Sequence, residues 1–147
     1  MSIWPRLATI FRRRKSTAPQ NPSNRVAKQV IACARAVSAA LGTGMTEVIY
    51  ENALAHALRK AGLTVSQKPS VSVCYDGMIV GNYVADLLVE HTVLIELTTG
   101  DAADTAPESR HASYLKATGH ALCLLVHFGN RRTRITRVIN CLWQPPS

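Results

Sequence analysis

Two neighbouring stretches, Asn82-Tyr83-Val84-Ala85-Asp86-Leu87-Leu88-Val89 and Val93-Leu94-Ile95-Glu96-Leu97-Thr98, decide how this chain is read. Each is an apolar, strand-like run with one acid embedded in it, Asp86 in the first and Glu96 in the second. An ionised carboxylate in such surroundings is costly unless a positive group compensates it. For two converging carboxylates the natural compensator is a hard divalent cation such as Mg2+. Thr98, two residues beyond Glu96, shares its face of the strand by the alternation of strand side chains.

Around this pair the pattern is mixed α/β. Residues 16–24 read as a polar, proline-bearing linker. An alanine-rich helical pattern runs from Val26 to Leu41 and stops at Gly42-Thr43-Gly44. A second helix is expected from about Met45 to Ala61, closed by Gly62. Glu47, Tyr50 and Glu51 share one side of its first turns, and Leu54, Leu58 and Ala61 continue an apolar stripe. Thr64 to Tyr75 reads as a strand whose Pro69 marks an edge or a bulge. Asp76-Gly77 is a two-residue hairpin signal. A strand from Met78 to Val89 follows, then a tight connection at Glu90-His91, then a strand from Thr92 to Leu97. Gly100 to Pro107 reads as a loop and Glu108 to Thr118 as a third helix. Residues 121–128 are nearly continuously apolar, as a strand buried on both faces requires. A basic strand, Arg131 to Ile139, comes last. A hairpin-built sheet completed by a helical crossover is an α/β sandwich.

Composition bounds the function. At 147 residues and 47% apolar, the chain suits one domain with a real core. Of its net charge of +8, most lies in a basic arm: residues 1–25 hold six of the 17 basic residues and none of the nine acids. The expected organisation is therefore a solvated, disordered arm over 1–25 and one folded domain over 26–147, with a near-balanced charge that argues less for a nucleic-acid-binding surface than the total suggests. The four cysteines are widely spaced, without C-x-x-C or paired histidines, which excludes a zinc knuckle and fits reduced thiols in the cytoplasm. There is no apolar run long enough to span a bilayer as a helix. Trp4, Leu7, Ile10 and Phe11 ahead of Arg12-Arg13-Arg14-Lys15 leave open a short surface-attachment or leader segment.

The order of elements, with these residues on it, resembles the GxxExxY family of small bacterial proteins, a branch of the PD-(D/E)XK nuclease superfamily. Its motif stands as Gly44-Met45-Thr46-Glu47-Val48-Ile49-Tyr50, and further matches are Ala61-Gly62-Leu63-Thr64-Val65, Gly81 to Val89, Ile95-Glu96-Leu97 and Tyr114-Leu115-Lys116-Ala117-Thr118-Gly119. The resemblance implies an αβββαβ core, a central mixed sheet flanked by helices, with the acids gathered at one end. It further implies that Asp86 and Glu96 hold Mg2+ or Mn2+, that Glu47 is the assisting helix acid, and that the substrate is DNA or RNA, cleaved by hydrolysis of a phosphodiester.

Two positions depart from the family: Thr98 stands where it has a lysine, and Arg110 where it typically has a glutamine. Losing the lysine of such a site costs about 10²–10⁴ in rate, roughly 3–5 kcal/mol of barrier. Arg110 is the better candidate for a relocated cation than Lys116, which is six positions on and points to another side of the third helix; an arginine stabilises phosphate charge but does not act as a base. The alternative to an impaired nuclease is an inactive nucleic-acid-binding or protein-interaction module on the same fold, and a homodimer or partner protein stays open.

Other residues carry plainer readings. Tyr50, Tyr83 and Tyr114 are expected to pack in the core or on the sheet. His91, His111, His120 and His127 show no metal spacing. Arg132 and Arg134 share a strand face that suits phosphates or plain solvent, with Arg137 on the other.

Overall fold

The structure, a computed structural model, describes residues 21–100 and 108–144. Most of the basic arm and of the loop expected before the third helix lie outside them.

Helix α1 spans Pro22–Leu41 and begins four residues earlier than the pattern from Val26 suggests. The reason is local. Asn21 caps it, its side chain accepting from the Ser23 amide at 3.1 Å, and Pro22 at the first helical position loses no hydrogen bond the helix would have made. Helix α2 spans Glu47–Lys60, with Glu47 in the first turn and Arg59 and Lys60 in the last, each sign on the side the helix dipole favours. It ends in a Schellman turn: Gly62, at φ 88°, donates to the Arg59 carbonyl and Leu63 to the Leu58 carbonyl.

Seven strands follow: β1 (Val65–Gln67), β2 (Ser70–Tyr75), β3 (Met78–Val84), β4 (Leu87–Val89), β5 (Val93–Thr99), then, after α3 (Glu108–Thr118), β6 (Leu122–Phe128) and β7 (Thr133–Ile139). Five form one mixed sheet in the order β1-β4-β5-β6-β7, parallel only between β5 and β6, where α3 makes the crossover. The other two, β2 and β3, form a separate antiparallel hairpin turned by Asp76-Gly77, as expected.

Both strands expected to run unbroken from Thr64 to Tyr75 and from Met78 to Val89 are therefore split, and they are split together. Lys68 takes a left-handed φ of 50° and Pro69 has no amide to continue the ladder. The chain leaves the second strand at Ala85-Asp86, opposite that bend. Two backbone bonds stitch the breaks: the Lys68 amide donates to the Asp86 carbonyl at 2.8 Å and the Ala85 amide to the Pro69 carbonyl at 3.3 Å.

The sheet separates two cores by strand alternation. Val93, Ile95 and Leu97 of β5, with Leu122, Leu124 and Val126 of β6, face α1 and α2, where Val30, Ala34, Leu54 and Leu58 pack. Leu94 and Cys123 face the opposite way, against Leu115 of α3 and Tyr83 of the hairpin. Tyr50 and Tyr114 pack as expected. Tyr50 is fully buried, stacks on Phe128 with ring centroids 4.3 Å apart, and donates its hydroxyl to the Gly42 carbonyl at 2.6 Å.

Tyr50 thus ties α2 to the end of α1 and to β6. Tyr50→Phe is expected to cost about 1 kcal/mol, the net value of one hydrogen bond, and Tyr50→Ala about 3–5 kcal/mol, as for a large aromatic cut from a core. Urea denaturation of the two variants checks this.

Candidate active site

Beyond the last ladder pair of β4 and β5, Leu87 with Ile95, one further step brings Asp86 opposite Glu96. The fold therefore places the two sequence-predicted acids side by side. Asp86 is 7% exposed, and both of its oxygens are engaged: Oδ2 accepts from the Leu97 amide at 2.7 Å, and Oδ1 accepts from the ammonium of Lys68. Such charge-assisted bonds are what a buried carboxylate needs to stay ionised.

Lys68 owes its position to the bend between β1 and β2. Its Nζ also pairs with Glu51 Oε1 at 2.9 Å, so a single ammonium bridges the sheet acid and a buried acid of α2. Glu51 is held in turn by Gln67, whose amide donates to Glu51 Oε2 at 3.1 Å and to Asn52 Oδ1 at 2.8 Å, while Arg59 donates to Gln67 Oε1 at 3.2 Å. The hydrogen bond to Asp86, then the one to Glu51, push the Lys68 pKa well above its ordinary value. Lys68 therefore remains a cation at any working pH and cannot serve as a base while these contacts last.

Glu96 is half-buried on the α3 side of the sheet and accepts a hydrogen bond from the Tyr83 hydroxyl. Burial raises its pKa to about 7; the Tyr83 bond opposes the shift and the charge of Asp86 adds to it. The Tyr83 ring stacks on Tyr114 with centroids 4.0 Å apart, and the Arg110 guanidinium lies 5.7 Å from the centre of the Tyr114 ring. Arg110 thus stands behind two stacked tyrosines and makes no ion pair with a carboxylate among the described residues. Glu47 stands at the exposed start of α2; partial burial of its carboxyl, and then Asp86, raise its pKa, with Lys68 opposing. It feels the charge of Asp86, whereas Glu51 makes the contact with Lys68.

Thr98, at the position of the family's lysine, points away from this network: its hydroxyl lies 2.7 Å from His127 Nδ1. Among the described residues the cation paired with Asp86 is instead Lys68, which sequence reasoning did not single out. Its signal was present in Gln67-Lys68-Pro69, a polar pair ahead of a proline that must end a strand. Glu51, four residues after Glu47 on the same helix face, was visible only as part of that face.

The donor set fits a hard divalent cation in a limited sense. Asp86 and Glu96 supply adjacent carboxylate oxygens, and Asp86 contributes to the raised pKa of Glu96, as expected of two acids that share a site. Among the described residues no group of three His, Cys, Asp or Glu side chains makes a preformed cage. Two carboxylates match an Mg2+ ion that keeps several of its own waters.

The raised pKa of Glu96 has a sign for stability. The folded state holds the Glu96 proton more tightly than the unfolded chain does, so this contribution is complete below about pH 4.5 and is lost as pH rises through about 7. Denaturation in EDTA should show wild-type stability falling across that window relative to Glu96→Gln. Parallel curves for the two proteins would contradict it.

The model of the PD-(D/E)XK nuclease superfamily matches residues 24–138, most of the chain. No curated protein matches it. Among solved structures, one described as the crystal structure of SSO0001 is 17% identical with a TM-score of 0.49; the match covers 82% of this chain and 60% of that protein. The assignment rests on the family match, with which the mixed sheet and its flanking helices agree: this chain belongs to the PD-(D/E)XK nuclease superfamily.

Proposed function

We propose that the chain is a metal-dependent nuclease of the GxxExxY branch that hydrolyses phosphodiester bonds in DNA or RNA. The observation that carries this reading is the placement of Asp86 opposite Glu96 beside a lysine, in a chain of nuclease ancestry. Asp86 and Glu96 would hold Mg2+ or Mn2+, with Glu47 assisting. Such an ion, when bound, neutralises phosphate charge and makes water a better nucleophile.

The chain's own groups have definite tasks in this reading. Lys68 supplies the positive charge absent at Thr98. Because Glu51 anchors it independently, it can release Asp86 and still remain beside the reacting phosphate. The Leu97 amide holds the second oxygen of Asp86, and Tyr83 holds Glu96 by its hydroxyl, so each acid keeps its orientation. Arg110 adds phosphate-directed charge from α3.

A second reading has its own support. Lys68 and Leu97 already satisfy Asp86, and Tyr83 binds Glu96, so the acids are compensated by the protein itself. A binding module that kept the fold and lost the chemistry would look this way.

Incubation of supercoiled, linear and single-stranded DNA and of RNA with Mg2+ or Mn2+ separates the two. The enzyme reading predicts cleavage by wild type, none by Asp86→Ala, and a loss of about 10²–10³ in rate for Lys68→Met, the usual worth of one electrostatic stabiliser. Silence from wild type with cleavage gained by Thr98→Lys would mean a metal site without its cation, and silence from every variant would favour the binding module.

A further inference from the structure

The face of the sheet that carries Glu96 continues past it. Along β5, Thr98 is the next residue on that face; pairing with β6 sets it beside His127, and pairing with β7 sets His127 beside Arg134. This row ends at a cavity of about 280 Å3 lined by Gly100, His127, Gly129 and the arginines at 131, 132 and 134. Its size is near the lower end of ligand pockets. The three arginines are exposed and make no ion pair among the described residues.

His127 is the unusual member. It is 6% exposed, and its Nε2 is buried with no hydrogen-bond partner among the described residues. Buried polar atoms are nearly always paired, so an orphan calls for a ligand or another cause. Its Nδ1 is occupied by the Thr98 hydroxyl at 2.7 Å. When that hydroxyl donates, the neutral ring carries its proton on Nε2 and presents a donor there. Gly129 lies directly against this edge: a Cβ at that position would come within 3.2 Å of His127 Nε2 and 3.1 Å of the Arg132 carbonyl. A side chain there would crowd the imidazole edge beside the cavity.

We infer that this cavity is a phosphate-binding subsite, in which arginines 131, 132 and 134 and the Nε2–H of His127 receive a phosphate group and Thr98 is the positioning residue that sets the His127 tautomer. The threonine that replaces the expected lysine thus has a task of its own. That the phosphate belongs to a nucleic-acid strand rests on the proposed function; the affinity for phosphate does not.

The test is made on the full chain in EDTA, where no cleavage intervenes. Titration with inorganic phosphate should shift the His127 imidazole ¹⁵N resonances in wild type and leave them still in the Arg132→Gln/Arg134→Gln double variant. Thr98→Val should change the tautomer signature of His127 before any phosphate is added. For a 5′-phosphorylated single-stranded oligonucleotide, the double variant, which loses two of the three arginines on one phosphate, should lower the salt slope of binding by at most about 0.7. Arg137→Gln, whose arginine bonds Asn24 on the α1 side, should leave the slope unchanged. Gly129→Ala should weaken binding without removing charge.

An unmoved His127, or an equal loss in Arg137→Gln, would overturn the subsite. A phosphate shift in a protein whose binding of the oligonucleotide is the same with and without Arg132 and Arg134 would overturn its assignment to a strand. Because cleavage is not read, a phosphate-responsive His127 in a protein that never cuts would sink the enzyme reading and leave the subsite standing.

Discussion

Asp86 is a carboxylate set at the start of an interior strand of an apolar sheet, and much of the surrounding geometry answers the cost of keeping it charged. Its compensation comes from two directions. The Leu97 amide is supplied by the neighbouring strand, and the Lys68 ammonium by a bend in the chain that interrupts two strands at one level. Without the bend, β1 and β2 would run on as one strand and Lys68 would stay in the ladder. With it, the hairpin of β2 and β3 forms a sheet of its own, apart from the main one. Without Lys68 the buried Asp86 carboxylate would keep only the Leu97 amide among its described partners, so the bend and the acid depend on each other.

The remaining charged groups arrange themselves about this centre on two sides. Toward α2, Glu51, Gln67, Asn52 and Arg59 form a hydrogen-bonded chain that fixes the far side of Lys68. Toward α3, Glu96, Tyr83, Tyr114 and Arg110 form a second chain of hydrogen bond, ring stack and cation–ring contact. The first is a polar network around a permanent cation. The second ends in an acid whose pKa burial raises to about 7, so it is the side that responds to pH.

Much of this was legible in the residues. The acids in apolar runs announced themselves because an unpaired charge there is costly, and the Asp76-Gly77 turn, the glycine stop after α2 and the continuously apolar β6 are local signals with local causes. What escaped was long-range. Alternation carried both strands straight through Lys68-Pro69 and Ala85-Asp86, because each break is stabilised by the other and neither is evident alone. Glu47 and Glu51 sit on one helix face, and which of them meets a lysine depends on where β1 ends. Thr98 was read as a missing charge, while its partner His127 lies 29 residues away and comes beside it only through parallel pairing. Tyr83 packs in the core as expected, and its hydroxyl also bonds Glu96, a contact that no local pattern shows.

In the proposed nuclease the Asp86–Glu96 pair would accept a divalent cation when Lys68 gives way. Anomalous diffraction from crystals soaked in Mn2+ tests it directly. The expected map holds one anomalous peak within bonding distance of both carboxylates, with the Lys68 ammonium withdrawn from Asp86 and still paired with Glu51. A map with no peak at that position and Lys68 still seated on Asp86, at Mn2+ concentrations that occupy other sites, would contradict it.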